Sequence, residues 1–520
     1  MSAPLDLIQI GGEEKEKNMA STETSRSAKI RARLNHPIID TDGHTVELMP
    51  VYLDYVKQIG GADMVKRYEE ATNARGNNRW ATMSDDERRD ARATCPPWWA
   101  RPARNTLDRA TASIPRLLHQ RMDDLGMDYT VLYPTEGLVS PPRFEDEEVR
   151  RVSCRALNAF HADIYREYAD RMTPVAIIPV HTPQEGIEEL EYAVNQLGLK
   201  AMVTSHVQRP VPKLKREHPE VSGQAPYLDL LALDSEYDYD PFWAKCIELK
   251  VAVTTHSTGQ GWGSRRSVSN YMFNHIGHFG AAGEAMCKAL FFGGVTRRFP
   301  SLKFAFLEGG VSWACSLFSD IIEHWKKRNA KVIGNLDPTS MDRELFKRLI
   351  DEYGEEKMRG MSPEIMQALA RAQRRPSVLD DWSRCGIESI EDIRDLFVPN
   401  FFFGCEADDR MVAWAFNTKV NPMGVRLGAM MSSDIGHWDV NDMTEVVEEA
   451  YELVEDGLIS EDDFRDFTFT NAVRLYAAMN PDFFKGTACE SAVDRLLSEG
   501  FLSQENGSSS HQTREQRIAD

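Results

Sequence analysis

The feature that most constrains the fold is a series of short apolar runs, each followed by an amphipathic stretch. This alternation is typical of β-then-α units, and nearly continuous apolar runs indicate strands buried on both faces, as in a parallel sheet. The eight runs are PIIDTDGH (37–44), DYTVLYP (128–134), TPVAIIPVH (173–181), LKAMVTSH (199–206), VAVTTHS (251–257), KFAFLEGG (303–310), NFFFGC (400–405) and LGAMMSSD (427–434). Eight such units predict an α/β fold whose strands close into a (β/α)8 TIM-like barrel.

Two connections between these runs are much longer than the others. Residues 45–127 carry helical stretches around a Trp/Pro/Arg segment, CPPWWARPAR (95–104), and residues 335–399 are charged and mostly helical. Long connections inside a compact domain are commonly functional. We expect both helical insertions to cap the C-terminal mouth of the barrel, with an oligomer contact as the alternative.

The two ends of the chain lack the apolar periodicity of the rest. Residues 1–33 and 503–520 are polar, so they bury too little apolar surface to offset the entropy lost on ordering. We therefore expect disordered N-terminal and C-terminal tails around one barrel domain at residues 34–502.

Charge and cysteine content exclude several classes of protein. The chain has 61 Lys and Arg against 81 Asp and Glu, a net charge of -20, which disfavours binding to nucleic acid or to an anionic membrane surface. No run approaches the roughly 20 apolar residues of a membrane span, and the first residues do not resemble a signal peptide. The eight cysteines form no C-x-x-C pair, so we expect reduced, packed thiols. These features favour a cytoplasmic protein with a small-molecule or protein partner, and they are compatible with a homo-oligomer.

Potential metal ligands stand at the ends of six of the eight runs. Active sites of this fold lie at the C-terminal ends of the strands. Residues i and i+2 of a strand face the same way, so Asp42 and His44 are expected to point together into the mouth, with Asp40 deeper on the same face. The other run-end groups are His181, His206, His256, Glu308 and Asp434. This arrangement predicts a metal site.

The order of these motifs resembles one known family. D-x-H at the first strand, His at the fifth and S-D-x-x-H-x-D (433–439) at the eighth are similar to the amidohydrolase superfamily, specifically its amidohydrolase-related branch. That branch also contains decarboxylases of the aminocarboxymuconate-semialdehyde and resorcylate type. The resemblance extends over residues 36–487 and includes the segments 108–135, 293–310 and 463–481.

The resemblance implies a role for each motif residue. Asp42, His44, His256 and Asp434 would bind a divalent metal, zinc or else iron or manganese, as one ion or two. Asp434 would also carry the proton in catalysis, and His437 would orient its carboxylate.

One departure from the family pattern is Glu308-Gly309-Gly310, where His-Gly-Gly is common. A carboxylate adds a negative charge and two oxygens that can chelate or bridge. As a ligand, Glu308 would favour iron or manganese over a nitrogen-only site, or would neutralise a second metal. The alternative is that Glu308 pairs with an Arg or Lys of a capping loop. Lys200 stands at the start of its run, which argues against the bridging lysine of two-metal members.

Other polar and aromatic residues have two readings each. His206 ends the fourth run and is predicted to belong to the metal site. His278, three residues after His275, is either a catalytic acid or base or a packed core histidine.

Trp98 and Arg104 of the first insertion are predicted to bind substrate, with ordinary lid packing as the alternative. In GCEADDR (404–410) the acids Glu406, Asp408 and Asp409 either approach the metal or form a solvated turn.

The chemistry predicted from these residues is hydrolysis. A metal-activated water, deprotonated by Asp434, would attack an amide, ester or activated C–C carbonyl of a small organic substrate. The first alternative is metal-dependent, non-oxidative decarboxylation of an aromatic or unsaturated carboxylate. The second is oxygenation at a dinuclear non-heme iron site. A barrel that only binds or scaffolds would require the ligand set at four strand ends to be a coincidence.

Overall fold

Eight parallel strands form the barrel. The computed structural model describes residues 24–74, 76–97, 103–372, 379–382 and 384–500. The strands are β1 (Ile39–Thr45), β2 (Tyr129–Pro134), β3 (Met172–Pro174, continued at Ala176–Ile177), β4 (Met202–Thr204), β5 (Val253–Thr255), β6 (Phe304–Phe306), β7 (Phe401–Cys405) and β8 (Gly428–Met431). Each strand pairs in parallel with the next. Every strand lies within or at the edge of one of the eight apolar runs, and the predicted barrel is confirmed.

The barrel closes where β8 and the residues after it lie beside β1. Thr41 Oγ1 donates a hydrogen bond to the Met431 carbonyl at 2.8 Å. Beyond the strand, the Asp434 amide donates to the Asp42 carbonyl at 3.0 Å, and the His44 amide donates to the Ile435 carbonyl at 2.9 Å. These bonds join residues almost 400 positions apart.

A bulge in β1 changes the expected alternation of its side chains. Asp40 pairs with Thr130 and Gly43 with Leu132, so β1 contains one extra residue. A Cβ at Gly43 would lie 2.7 Å from Asp40 Oδ2, which places Asp40 and position 43 on one side of the strand. The bulge therefore separates Asp40 from the face of Asp42 and His44 on which we expected it.

The Asp40 carboxylate instead ties β1 to β2 and to the loop after β8. Its Oδ2 accepts hydrogen bonds from Thr130 Oγ1 at 2.7 Å and from Ser433 Oγ at 2.8 Å. Its Oδ1 accepts from the amides of Ser433 at 2.8 Å and Asp42 at 3.2 Å. Burial raises the pKa of Asp40, and these four donors act in the opposite direction.

Helices surround the barrel, with their apolar faces buried against the strands. Those outside the two insertions are Arg26–Arg33, Thr135–Val139, Glu147–Tyr165, Pro183–Glu191, Pro212–Glu217, Asp240–Glu248, Tyr271–His275, His278–Phe292, Val295–Arg298, Ser312–Arg328, Val412–Phe416, Val446–Glu455, Glu461–Arg465, Asn471–Met479 and Glu490–Ser498. Short 3-10 segments lie at Pro141–Arg143, Arg166–Tyr168, Ser222–Gln224, Ile333–Leu336, Pro338–Ser340 and Pro422–Gly424, and π turns at Tyr192–Gln196 and Asp466–Thr470. A two-stranded antiparallel hairpin, Val207–Pro210 with Pro226–Asp229, follows β4.

The first insertion reaches the mouth of the barrel near residue 95, while its helix Met49–Gly60 contacts the outer helix Glu147–Tyr165 through the Tyr52 hydroxyl, which donates to the Ser153 carbonyl. Its helices are Met49–Gly60, Ala62–Asn73, Gly76–Thr82, Asp85–Asp90, Thr106–Thr111 and Pro115–Leu125. The Cys95 amide donates to the Ser267 carbonyl, at 2.8 Å, in the loop after β5, and the Val46 amide donates to the Ala112 carbonyl at 2.8 Å. The insertion is thus held at the ends of β1 and β5.

The second insertion makes its described contacts with outer helices. Its helices are Arg343–Tyr353, Glu356–Gly360, Ser362–Ala372 and Ile390–Phe397. Trp382 packs on Phe292 with ring centroids 5.3 Å apart, and Arg328 pairs with Asp381 at 3.0 Å. The first contact lies at the C-terminal end of the helix His278–Phe292 and the second at the C-terminal end of the helix Ser312–Arg328.

Part of the predicted N-terminal tail is folded. The expectation of disorder up to residue 33 does not hold for the helix Arg26–Arg33, in which Ser27 and Ile30 are buried. Arg26 pairs with Glu448 at 2.7 Å and with Glu455 at 2.7 Å. Contacts with a distant helix order this segment, and a polar sequence gives no sign of them.

The cysteines form no disulfide bonds. All eight are free and buried, as expected. Across the described ranges, no helix combines the length and the apolarity that crossing a bilayer requires.

We expect Asp40→Ala to destabilise the fold. The substitution leaves four buried donors without their acceptor, and each unsatisfied group costs ~1–3 kcal/mol. Urea-induced unfolding should show a loss of about 3 kcal/mol or more, with a smaller loss for Asp40→Asn, which keeps one oxygen. The exposed Asp54→Ala is the control, and equal midpoints for the two alanine variants would contradict the role of Asp40.

A buried glutamate away from the barrel mouth predicts a pH-dependent stability. Glu189 accepts from Asn158 Nδ2 at 2.9 Å and Arg155 Nε at 3.1 Å, and burial raises its pKa to about 7. Because the folded state holds this proton more tightly than the unfolded state, the stabilisation is complete below pH 4.5 and is lost as pH rises through 7.

Glu189→Gln should remove this pH dependence. The melting temperature of the variant should rise relative to wild type between pH 5 and pH 8, with about 3 kcal/mol as the upper limit of the effect. A difference in melting temperature that is the same at both pH values would contradict the assignment.

Candidate metal centre

Four predicted ligands meet at one buried point at the mouth of the barrel. His44 Nε2 lies 3.1 Å from Asp434 Oδ1 and 3.5 Å from Asp42 Oδ1. His256 Nε2 lies 3.8 Å from Asp42 Oδ2. The side chains of Asp42 and His44 are fully buried, and those of His256 and Asp434 are 3% and 1% exposed. The bulge in β1 and the pairing of β1 with the residues after β8 produce this convergence.

Glu308 joins the same group. Its Oε2 lies 2.8 Å from His256 Nε2, and its side chain is 4% exposed. Glu308 and Asp434 both have positive φ, 55° and 52°, in the left-handed region that non-glycine residues seldom adopt. Glu308 lies two residues past β6 and Asp434 three residues past β8, at the mouth of the barrel. The partner of Glu308 that the structure shows is the imidazole of His256.

The polar atoms of this group are close together but are not hydrogen-bonded to one another. Within the described ranges, no hydrogen-bond partner is found for either Asp42 oxygen, His44 Nε2, His256 Nε2 or Glu308 Oε2. Buried polar atoms without partners are costly, so they need another explanation. Two imidazole nitrogens and several carboxylate oxygens around one point are a donor set that fits a divalent metal ion.

Burial sets the protonation of the histidines. It lowers the pKa of His256 to about 3, and it lowers the pKa of His44 well below its usual value, with further lowering from neighbouring His437. Both imidazoles are therefore neutral near pH 7, which is the form that binds a metal.

His437 supports the Asp434 carboxylate. Its Nδ1 lies 2.7 Å from Asp434 Oδ1, and its Nε2 lies 3.2 Å from Thr135 Oγ1. The His437 ring stacks on His44, with centroids 3.7 Å apart. The structure thus places His437 beside the predicted ligands, next to the Asp434 carboxylate.

Two further acids lie at the centre, and sequence reasoning gave them no firm role. Glu406 follows β7 and Asp439 ends the S-D-x-x-H-x-D motif. Ligand oxygens of Glu308, Glu406 and Asp439 lie within 4.8 Å of one another. The available signals were the position of Glu406 just beyond a strand end and the place of Asp439 as the last residue of that motif.

The acids raise one another's pKa values. Burial and then the charge of Asp439 raise the pKa of Glu406 to about 8. Burial and then the charge of Asp434 raise the pKa of Asp439 to about 9. Burial, followed by neighbouring carboxylates, raises the pKa of Asp42 and Glu308 well above their usual values. A bound cation would offset this repulsion.

Aromatic side chains form the apolar surroundings of the centre. Tyr133 lies beneath it, with its ring centroid 6.2 Å from that of His44 and 6.1 Å from that of His256. Its hydroxyl donates to Thr254 Oγ1 at 2.8 Å. Phe279 contacts the His256 ring edge to face at 4.9 Å. Apolar surroundings strengthen the electrostatic interactions inside.

The structure does not bring His206 and His278 into the metal-ligand clusters found among the described residues. His206 packs on Trp262 at 5.6 Å, and burial lowers its pKa to about 3. The Nδ1 of His278 lies 3.0 Å from Thr258 Oγ1 and its Nε2 lies 3.2 Å from His275 Nδ1. The Phe279 ring contacts both His278 and His256, with centroids 3.8 Å and 4.9 Å away.

The predicted substrate-binding residues lie in the first insertion. Trp98 is outside the described residues. Arg104 is exposed, and neighbouring Asn105 Nδ2 donates to the Asn441 carbonyl at 3.2 Å. Arg104 is thereby placed beside the loop after β8, and a contact with substrate stays a prediction.

Solved structures share the fold at low sequence identity. An amidohydrolase from Mycobacterium avium subsp. paratuberculosis K-10 is 15% identical, with 85% of this chain and 100% of that chain covered and a TM-score of 0.50. A 2,6-dihydroxybenzoate decarboxylase from Rhizobium is 14% identical, with 85% and 98% covered and a TM-score of 0.44. A dihydroxybenzoic acid decarboxylase from Polaromonas sp. JS666, with bound manganese and 2-nitroresorcinol, is 13% identical, with 86% and 99% covered and a TM-score of 0.46.

A comparison with curated protein sequences finds no match. The sequence model of the amidohydrolase family, by contrast, matches residues 39–358, which is more than half of the chain and includes β1 to β6. The chain therefore belongs to the amidohydrolase family, within a superfamily of metal-dependent hydrolases and carboxy-lyases.

Proposed function

We propose that this protein is a metal-dependent hydrolase in which Asp434 activates water beside an ion held by Asp42, His44 and His256. The observation that supports this most is the convergence of these four side chains at one buried point, with ligand atoms that lack hydrogen-bond partners among the described residues. When bound, a divalent ion supplies Lewis acidity and lowers the pKa of a coordinated water toward neutrality.

The residues of the chain divide the remaining work. Asp434 accepts the proton of the attacking water and later returns it to the leaving group. His437, 2.7 Å from Asp434 Oδ1, holds that carboxylate in position. Tyr133 and Phe279 exclude bulk water from the deep side of the centre. The substrate is a small organic molecule with an amide, ester or activated carbonyl group, and it enters past the first insertion.

Decarboxylation fits the composition of the centre less well. A substrate carboxylate would have to approach a group that already contains Asp42, Glu308, Glu406, Asp434 and Asp439. These five carboxyl groups outnumber the charge of one divalent ion, so the centre offers an anionic substrate little net attraction. The strand-6 imidazole of the decarboxylase-like pattern is also replaced by Glu308.

Oxygenation at a dinuclear iron site is the second candidate, and the acids favour it. Carboxylate oxygens suit iron and manganese better than they suit zinc. Glu308, Glu406 and Asp439 add three carboxylates to the two histidines His44 and His256.

One experiment distinguishes the three reactions. The protein, purified without added metal, is analysed for its native ion and reloaded with that ion. It is then tested in three separate assays. Aryl esters and amides test for hydrolysis, hydroxybenzoates test for carbon dioxide release, and incubation with a reductant in air tests for oxygen uptake. Hydrolysis without carbon dioxide release or oxygen uptake supports the proposal, whereas carbon dioxide release or substrate-dependent oxygen uptake overturns it.

Loss of a histidine ligand should remove metal. His256→Ala deletes one of the two buried imidazole nitrogens, so we expect bound metal, measured by plasma mass spectrometry, to fall at least tenfold. His119→Ala changes a partly exposed histidine that pairs with Asp170 and serves as the control. Equal metal content in the two variants would contradict the assignment.

Asp434→Asn should separate metal binding from catalysis. The amide keeps one oxygen ligand but cannot accept the proton, so turnover of a hydrolysed substrate should fall about 10²–10⁴-fold while metal is partly retained. Asp482→Asn, at a position 74% exposed, is the matched control. Near-normal turnover of Asp434→Asn would show that another group carries the proton.

A further inference from the structure

The helix Arg343–Tyr353 of the second insertion lies on the outside of the protein. Its main neighbours are the short helix Glu356–Gly360 and the helix Ser362–Ala372 of the same insertion. In the part of the chain that the structure describes, none of the 11 residues of this helix is buried. Because helices in proteins are stabilised mostly by packing of an apolar face, a helix exposed along its whole length calls for a partner.

The exposed helix has an apolar face. Its sequence, RELFKRLIDEY, places Leu345, Phe346, Leu349 and Tyr353 within about 100° of one another around the helix axis, since 3.6 residues make one turn. Leu349 is 44% exposed and Tyr353 is 73% exposed. This face is therefore open to solvent in a single copy of the chain.

A methionine extends the apolar face beyond the end of the helix. Met358, 54% exposed, packs on Gly354, where a Cβ would lie 3.2 Å from the Met358 Cβ. At about 200 Å² for each fully exposed side chain of this size, the five exposed side chains present about 500 Å² of apolar surface. They are Leu345, Phe346, Leu349, Tyr353 and Met358.

The size of this surface fits a pair of identical chains. A stable interface of ordinary size buries about 800 Å² on each partner, and about 65% of a homodimer interface is apolar, which again gives about 500 Å² on each chain. Exposed apolar patches of this size are typical of interaction sites.

Two charged residues border the apolar face and indicate the orientation of the pair. Arg348 and Glu352 are exposed and lie one turn apart on the same edge of the face. On the opposite side of the helix, Lys347 and Asp351 pair with each other at 2.6 Å, whereas among the described residues Arg348 and Glu352 have no ion-pair partner.

A two-fold axis near residue 350 would give both charges a partner. It places two copies of the helix antiparallel, so that Arg348 faces Glu352 of the partner subunit, and the same contact occurs twice. A parallel pair would instead bring Arg348 against Arg348 of the partner subunit. The charge pattern therefore favours the antiparallel arrangement.

We propose that the helix Arg343–Tyr353 is the centre of a homodimer interface, in which two copies of this chain pack antiparallel through the apolar face. The interface uses no residue of the candidate metal centre. It is therefore independent of the proposed function, and either can fail without the other.

The test is the mass of the full-length protein, measured by sedimentation equilibrium over a range of concentrations. Wild type should have twice the mass of one chain. Leu349→Glu should raise the dissociation constant at least 100-fold, while the control Leu458→Glu, at an exposed leucine outside the insertion, should leave it unchanged. Circular dichroism confirms that the variants are folded.

Charge reversal tests the orientation of the pair. Arg348→Glu and Glu352→Arg each place like charges opposite each other, so each should raise the dissociation constant about tenfold or more. The double variant restores opposite charges and should dimerise like wild type. If the double variant associates no better than either single variant, the antiparallel contact is wrong.

Crosslinking gives a second measure of the orientation, because all eight native cysteines are buried. Leu349→Cys lies near the proposed axis and should be joined to its mate by a short bismaleimide. Leu345→Cys should not be joined, since antiparallel copies separate this position by about 15 Å along the helices. Efficient crosslinking at both positions would contradict the antiparallel pair.

Two results would overturn the interface itself. A monomeric wild type would mean that another protein or another segment of the chain covers the apolar face. A dimer that Leu349→Glu leaves intact would place the contact between the copies elsewhere on the surface.

Discussion

The closure of the barrel between its first and last strands is the constraint on which the candidate centre depends. The Asp40 carboxylate accepts hydrogen bonds from Thr130 on β2 and from Ser433 after β8. It thereby fixes the bulge that turns Asp42 and His44 into the mouth, and it fixes the residue that precedes Asp434. The buried Asp40 carboxylate, whose hydrogen bonds are structural, thus positions Asp42 and Asp434, whose carboxylates are candidates for metal binding and catalysis.

The barrel and part of the site could be predicted because they depend on local patterns. Parallel strands buried on both faces leave continuous apolar runs, such as NFFFGC (400–405), which becomes β7 (Phe401–Cys405). The strand-end rule and the family motifs then placed Asp42, His44, His256 and Asp434 together, and the structure brings them together.

What could not be predicted depends on contacts between distant segments. The helix Arg26–Arg33 buries Ile30 and pairs Arg26 with Glu448 and Glu455, and no periodicity in a polar segment reports such distant partners. The bulge in β1 comes from the register with β2, so simple alternation put Asp40 on the wrong side. Asp439, in the loop after β8, has a carboxylate oxygen within 4.8 Å of those of Glu308 and Glu406, and this is a contact between three separate loops.

The order of the ligands along the chain has a consequence for how the protein acquires its metal. The candidate ligands come from residues 42 to 439, and the last of them follows the eighth strand. A nascent chain on the ribosome has Asp42 and His44 outside the exit tunnel long before Asp434 is synthesised. The full ligand set therefore exists only once the barrel has closed, so the site belongs to the finished fold and not to any segment of the growing chain.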